Sequence, residues 1–320
     1  MKRILLKNTE LSLSNICLGT ANFKERLDRK SAFNLLDYYV DMGGNFIDTA
    51  NVYGRWLPET ENSSEQFLGE WFQQSDSRSK ICLATKGGHP NLQTGENRVN
   101  KTNLSWELDN SLSTMRIETI DFYWFHRDNI NLPIDEVIAI GEDFVKQGKV
   151  RYYGASNFTL PRMQQAMEWR KNHEDRGFIA LSNQWSLAYP NPEYKLNGDQ
   201  TLEGVDATYY RWIRETNLPL IPYSATANGF FAKASAKTLS PALEQAYGNS
   251  RNRTLQKILV SLAEDYHTTP FVLSLAVLLH QDFQVIPVTS ASSKIQLEET
   301  LKASEFRLID HDVAILNRFL

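Results

Sequence analysis

The feature that most constrains this chain is an eightfold alternation. Short apolar segments ending in polar residues alternate with longer segments of helical period. The short ones are NICLGT (15–20), NFIDT (45–49), KICLATK (80–86), IDFYWFH (120–126), VRYYGAS (150–156), ALSNQW (180–185), LPLIPYS (218–224) and FQVIPVTS (283–290). They are bounded by turns and rich in β-branched and aromatic residues, as buried parallel strands are. The first helical segment, 29–42, places Ala32, Phe33, Leu36 and Val40 on one face and stops at Gly43. The next, 63–73, opens with Ser63 and Gln66 in capping-box spacing. Further helices are expected at about 101–115, 134–147, 160–174, 208–216, 254–281 (as two helices), 292–302 and 310–319.

Eight βα units with no break in composition over 320 residues predict an α/β protein. The expected architecture is a single-domain (β/α)8 TIM barrel spanning 1–320. The opening ILLKNTELSLS alternates around KNTE and predicts a β-hairpin that closes the barrel floor. The segment after 310 predicts an extra C-terminal helix. A doubly wound open sheet is the alternative, but no G-x-G-x-x-G follows any strand candidate.

A net charge of −4 and a pI near 5.9 give no electrostatic reason to expect nucleic acid or an anionic membrane. Cys17 and Cys82 both lie in apolar runs, consistent with reduced, buried thiols in a cytoplasmic protein. The start MKRILLKNTE has too short an apolar run for a signal peptide, and FVLSLAVLLH (271–280) is too short to span a bilayer.

In such barrels chemistry sits where the strands end. The polar residues there are Thr20, Asp48, Lys86, His126, Ser156 with Asn157, Gln184, Tyr223 with Ser224, and Ser290. Side chains alternate along a strand. Counting back by twos puts Phe46 on the face of Asp48, Cys82 and Ala84 with Lys86, and Phe122 and Trp124 with His126. Each polar residue alone has a plainer reading: Asp48 as a turn cap, Lys86 as a solvated strand end, His126 as a loop histidine. Together an acid, a cation and an imidazole end three successive strands. An inward lysine needs a partner, because an unpaired buried ammonium is costly, and Asp48 is the natural one.

At this point the residues resemble a known family. Across nearly its whole length the chain resembles the aldo-keto reductases, in a bacterial-type branch. The resemblance is carried by GGNFIDTANVYG with SSEQFLGEWF, then ATKGG, FYWFHRD, GKVRYYGASNF, LSNQWSL, IPYSATANGFF and SASSKIQLEET, in that order. It implies a catalytic tetrad of Asp48, Tyr53, Lys86 and His126. Tyr53 would be the proton donor, Asp48 would neutralise and orient Lys86, and His126 would orient the carbonyl. A lysine in contact with a phenol favours the phenolate, which suits acid–base work in both directions. The resemblance also implies NADP(H) in preference to NAD(H), and hydride transfer to an aldehyde or ketone, a keto-sugar among the candidates. No metal is implied.

By the same resemblance Ser156, Asn157 and Gln184 would hold the nicotinamide carboxamide, and Tyr223 would stack on the ring. Ser224 and Ala225 would line the pyrophosphate. Ser290, Ser292, Lys294, Gln296 and Glu299 would surround the adenosine phosphate and adenine, and Thr20 and Asp48 are further cofactor-binding candidates. The chain departs from the family pattern at Ser292, where a basic residue often meets the 2′-phosphate, and at Thr300, where Asn is common. Trp56, Trp124, Arg127 and Trp185, with Tyr189, are candidates for the substrate mouth. Arg127 is a candidate for an acidic substrate group, or for pairing with Asp128 or another loop acid. Two rival readings share the barrel: a cofactor-holding sensor without catalysis, and a metal-assisted hydrolase. The natural substrate, physiological direction and oligomeric state are not legible in the chain.

Overall fold

The computed structural model describes all residues from 1 to 320 except Glu59, Asp76, Asp175 and 195–197. The long irregular stretches 51–62 and 186–206, which follow strand candidates and from which substrate specificity is expected to come, therefore fall partly outside the described residues, at Glu59 and 195–197. Strands β1 (Arg3–Leu5) and β2 (Ser12–Ser14) form the antiparallel hairpin. The barrel then runs through β3 (Cys17–Gly19), α1 (Arg29–Asp41), β4 (Phe46–Asp48), α2 (Ser63–Ser75), β5 (Cys82–Gly87), α3 (Lys101–Met115), β6 (Ile120–Phe125) and α4 (Ile134–Lys146). It continues through β7 (Val150–Ser156), α5 (Leu160–Lys171), β8 (Leu181–Ser182) and α6 (Ala207–Thr216). Short helices α7 (Phe230–Ser235) and α8 (Pro241–Tyr247) precede α9 (Ser250–Asp265), α10 (Pro270–Leu279), β9 (Val288–Thr289), α11 (Lys294–Lys302) and α12 (Asp310–Asn317).

The main sheet is parallel, in the order β8-β7-β6-β5-β4-β3-β9. The segment 218–224, expected as a full strand, joins it only through single bridges of Leu220 to Leu181 and Val285, and of Tyr223 to Gln184. The reason is local. Pro219, Pro222 and Pro287 carry no N–H, so this edge cannot build a continuous ladder. The remaining bonds still close the cylinder: Ile221 N to Leu181 O at 2.8 Å, Leu220 N to Gln284 O at 2.9 Å, and Val288 N to Pro222 O at 2.9 Å. The result is the expected (β/α)8 barrel with an N-terminal hairpin.

Other local expectations shift. The buried stripe of α1 is Ala32, Leu35, Leu36 and Tyr39, turned from the expected Phe33 and Val40. The Tyr39 hydroxyl explains this, because it lies 2.8 Å from Ser14 Oγ and donates to the Ile16 and Phe46 carbonyls at 2.7 and 2.9 Å. Its ring also dictates Gly44, where a Cβ would stand 2.4 Å from it. The Ser63–Gln66 box does not form, and Ser63 Oγ is buried without a partner among the described residues. Asn62 supplies the first helical carbonyl to Gln66 N at 3.1 Å, and its amide donates to Glu65 at 2.7 Å. The stretch 225–251, where the sequence shows neither a strand nor a helical period and is read as irregular, contains α7 and α8. The helical pair over 254–281 begins earlier, at Ser250, and divides where Thr269 caps α10 and Pro270 occupies its first turn.

The alternation within strands holds. Cys17, Phe46, Cys82, Ala84, Phe122, Trp124, Tyr152, Ile179, Ile221 and Ile286 share one interior cluster with Leu6, Leu11 and Leu13 of the hairpin. Each buried leucine contributes about 1.5–3 kcal/mol, so the hairpin is a fastened floor rather than a loose tail. Among the described residues no helix is long and apolar enough to cross a membrane.

Candidate active site

Three strands deliver the central residues. Asp48 is the last residue of β4, Lys86 lies near the end of β5, and His126 follows β6. Each continues an interior column: Phe46 beneath Asp48, Cys82 and Ala84 beneath Lys86, Phe122 and Trp124 beneath His126. Tyr53 comes from the turn after β4. Its N–H donates to Ala50 O at 3.0 Å and its carbonyl accepts from Ser64 N at 3.4 Å. Gly54 makes that turn possible. Its φ is +94°, and a Cβ there would fall 1.9 Å from Ser63 Oγ.

The Lys86 ammonium is surrounded. It donates to Asp48 Oδ2, to the Thr49 carbonyl at 2.7 Å and to the Tyr53 hydroxyl at 3.1 Å. Both charged side chains are almost fully buried. Burial pushes the Asp48 carboxyl up, and the Lys86 charge pulls it back. Burial works against the Lys86 cation too, but Asp48 and then Tyr53 hold it above its ordinary value. Each charge keeps the other ionised.

His126 completes the group. Its ring centroid lies 6.0 Å from that of Tyr53 and 5.0 Å from that of His89. Burial, then Arg127, His89 and Lys86, push its pKa well below the ordinary value, so the ring is neutral. Its Nδ1 is buried with no hydrogen-bond partner among the described residues. His89 is likewise pushed down, by burial and then Arg127. The structure therefore brings all four tetrad candidates together and adds two groups that the sequence reading passed over, the Thr49 carbonyl and His89. The signal for His89 was its position three residues after Lys86.

The cofactor candidates fall into two sets. Ser156, Asn157, Gln184 and Tyr223 adjoin one another. The Tyr223 hydroxyl donates to Asn157 Oδ1 at 2.6 Å, Asn157 Nδ2 donates to Ser156 Oγ at 3.1 Å, and Ser156 donates to Ser182 O at 2.8 Å. Gln184 donates to the Tyr247 hydroxyl at 3.3 Å. Asn157, Ser224, Ala227 and Asn228 all have positive φ, between 48° and 59°. Such a cluster of left-handed non-glycine residues is strain of the kind that gathers at ligand clamps. Ala225 is buried within this turn. Thr20 sits under Asp48, its hydroxyl bonded to Asp48 O at 3.1 Å and to Ser64 Oγ at 2.7 Å.

The second set lies at the start of α11. Ser290 donates to Gly19 O at 3.2 Å, and Ser292 N is held by Gln296 Oε1 at 2.8 Å. Ser293 caps the helix. Lys294 Nζ stands 4.2 Å from the centre of the Tyr38 ring, with Glu298 at 3.9 Å. Glu299 accepts from Thr269 at 2.9 Å. Ser292, Lys294 and Gln296 are exposed; Glu299 is half-buried on the flank of the helix.

The substrate candidates divide. Trp56 is 44% exposed and meets Tyr53 edge to face at 6.0 Å. Trp124 is fully buried under the site, packed on Phe122 at 4.5 Å, so it floors the pocket instead of lining its mouth. Trp185 is corrected outright. It packs on Tyr210 and Phe283 in the layer between strands and helices, because it alternates with inward Gln184 and points outward. For Arg127 the loop-acid alternative holds and the substrate role does not. It is 4% exposed, and its guanidinium is engaged within the protein, by Asp199 at 2.7 Å and Thr201 at 2.6 Å among others. Its partner is not the neighbouring Asp128, which pairs with Arg162 at 2.7 Å. Tyr189 is partly exposed at the rim, under Arg251 at 4.7 Å.

Comparison with known proteins was made against this geometry. A family model, that of the Aldo/keto reductase family, matches residues 15–320. The chain belongs to the aldo/keto reductase family.

Aldo/keto reductases are NAD(P)H-dependent carbonyl oxidoreductases, and this chain is one. It is 27% identical to the uncharacterized oxidoreductase YrpG of Bacillus subtilis, over 99% of this chain and 95% of that one. It is also 27% identical to the aldo-keto reductase yakc [NADP(+)] of Schizosaccharomyces pombe, over 87% of this chain and 79% of the other. In fold it is similar to a thermostable aldo-keto reductase, Tm1743, solved with the inhibitor epalrestat. The TM-score is 0.73, at 20% identity and full coverage of both chains.

Proposed function

We propose that this aldo-keto reductase uses NADPH in preference to NADH to reduce an aldehyde or ketone, with Tyr53 as the general acid. The observation that carries this is the coordination of Lys86. All three of its protons have acceptors: Asp48, the Thr49 carbonyl and the Tyr53 oxygen. Because that phenolic oxygen already accepts from Lys86, its own hydrogen is left to donate outward, toward a substrate oxygen. In the reverse direction the same ammonium stabilises the phenolate that takes the alcohol proton.

His126 acts as a neutral ring. Held uncharged by burial and by Arg127, it can orient a carbonyl by hydrogen bonding and does not compete with Tyr53 as proton source. Trp56 flanks Tyr53 with a flat apolar face, which suits a small carbonyl compound with a hydrophobic or sugar ring.

The bound nicotinamide supplies the hydride. The residues present fit such a group: an orphaned buried ring nitrogen at His126, and the left-handed turn from Ser224 to Asn228. Ser156, Asn157, Gln184 and Tyr223 would hold the nicotinamide end. Ser290, Ser292, Lys294, Gln296 and Glu299 would hold the adenosine phosphate. The exposed ammonium of Lys294 and the capped start of α11 favour a 2′-phosphate there. The test is fluorescence titration with both cofactors, followed by NADPH oxidation with a panel of aldehydes, ketones and keto-sugars. Binding of NADPH without turnover on any carbonyl would favour the sensor reading instead. Binding of neither cofactor would end the proposal.

A further inference from the structure

The guanidinium of Arg127 is one of the most heavily bonded groups near the site. Its Nε donates to Thr201 Oγ1 at 2.6 Å, and one terminal nitrogen donates to the His126 carbonyl at 2.8 Å. The other donates to Asp199 Oδ2 at 2.7 Å and faces His89 Nε2 at 3.5 Å. That His89 nitrogen carries a lone pair, since Nδ1 lies 2.8 Å from the Pro90 carbonyl and must hold the ring proton. Asp199 and Thr201 are more than seventy residues away in sequence, within the long segment between β8 and α6.

That segment reaches the cofactor candidates. Gln184 N donates to Glu203 O and Val205 N donates to Gln184 O, both at 2.9 Å. Glu203 N donates to Asn157 Oδ1 at 3.1 Å, on the same oxygen that takes the Tyr223 hydroxyl. Asp206 then caps α6 through Thr208 N and Tyr209 N. So residues 203–206 are tied to the barrel and to a helix start, while 199–201 are tied through Arg127. The His126 carbonyl receives one donor from Arg127 and one from Asn157, at 3.1 Å. One buried cation thus joins the strand end of His126 to the segment laid over Asn157 and Gln184.

We propose that Arg127 is a positioning residue that clamps residues 199–205 across Asn157 and Gln184 and thereby shapes the seat of the nicotinamide. This rests on the cofactor reading above. Arg127 touches neither cofactor nor substrate in this scheme. It acts through Asp199, Thr201 and the His126 carbonyl. A lysine cannot replace it, because a point ammonium cannot serve these acceptors at fixed angles.

The test compares two nucleotides that share every feature except nicotinamide: NADPH and 2′-phospho-ADP-ribose. In Arg127→Met, NADPH affinity should fall at least tenfold while 2′-phospho-ADP-ribose affinity changes less than twofold. Asp199→Asn, the milder variant, should show the same selectivity with a loss of about threefold. The double variant should be no worse than Arg127→Met alone, because the two act as one unit. Arg127→Lys should recover no more than part of the loss. If Asp199→Asn or Arg127→Met weakens both nucleotides equally, or neither, the clamp is wrong and the cofactor reading stands. If the unaltered protein binds neither nucleotide, the cofactor reading falls and the clamp with it.

Discussion

Lys86 Nζ meets the Tyr53 hydroxyl at 3.1 Å from inside the barrel, not from across its mouth. The phenol oxygen thus accepts from a buried cation, while the Trp56 ring meets the phenol edge to face at 6.0 Å. Removing the hydroxyl while keeping the ring separates proton donation from packing. Tyr53→Phe should lower kcat for carbonyl reduction by about 10²–10⁴-fold, the usual contribution of a general acid, with NADPH affinity nearly unchanged. Steady-state kinetics with a parallel cofactor titration measures both. Turnover equal to the parent enzyme would remove Tyr53 from the chemistry.

Lys86 also bears on stability. In Lys86→Met the Asp48 carboxylate would be left buried among apolar neighbours without its counter-charge. Breaking one side of such a pair costs about 3–5 kcal/mol. Replacing both, as Asp48→Asn with Lys86→Met, should recover at least half of that in urea unfolding, although neither protein should be active. A single variant as stable as the parent would mean that water reaches Asp48.

Acid sensitivity follows from the two imidazoles. His126 and His89 are both pushed below the ordinary value, by burial first and Arg127 next. Between the folded values and the unfolded value of about 6.5, the unfolded chain binds more protons. Their contribution is thus fully present above about pH 6.5 and is lost as pH falls toward the folded values. Thermal melts at pH 7.5 and 5.5 should show a lower Tm in acid, and His89→Asn should reduce the difference. An identical difference in that variant would show that His89 is not buried neutral.

Ser292 offers a gain-of-function test. It is exposed at the start of α11, beside the Ser293 cap. Ser292→Arg should tighten NADPH relative to NADH by about tenfold, in line with a charge-assisted bond to phosphate. An unchanged ratio in paired titrations would place the 2′-phosphate elsewhere.

Behind the tetrad, Glu65 is fully buried. It accepts from Thr85 at 2.6 Å, Asn62 at 2.7 Å, Ser111 at 3.0 Å and Asn51 at 3.3 Å. Thr85 precedes Lys86, and Asn51 lies between Asp48 and Tyr53. Glu65→Leu strands several donors at once, so a loss of at least about 3 kcal/mol is expected, whereas Glu65→Gln should keep more than half of the stability. Chemical denaturation of the two variants makes the comparison, and equal stability would mean that the donors find other partners.

Three of the four tetrad positions were legible because strand alternation is short-range arithmetic, while Tyr53, in a turn, came only from the family resemblance. Once the three strand ends were located, Asp48, Lys86 and His126 had to face one way. Arg127 was not legible in the same sense. Its acid, Asp199, lies far along the chain, and only the closed barrel brings the two together. Trp185 shows the reverse failure, since the alternation that turned Gln184 inward also turned Trp185 outward. The short helices α7 and α8 escaped because Phe230–Ser235 and Pro241–Tyr247 span too few residues to display a period. The strand 218–224 was overestimated because its hydrophobicity is that of a strand while its prolines limit the bonds it can form.

Those prolines leave the cylinder with a seam. Along most edges the staves are bonded continuously, but the stave bearing Tyr223 is held by scattered bridges. The aromatic face expected to press against a planar cofactor ring therefore belongs to the least constrained part of the wall. Its position rests on side-chain bonds such as that from the Tyr223 hydroxyl to Asn157 as much as on the sheet ladder.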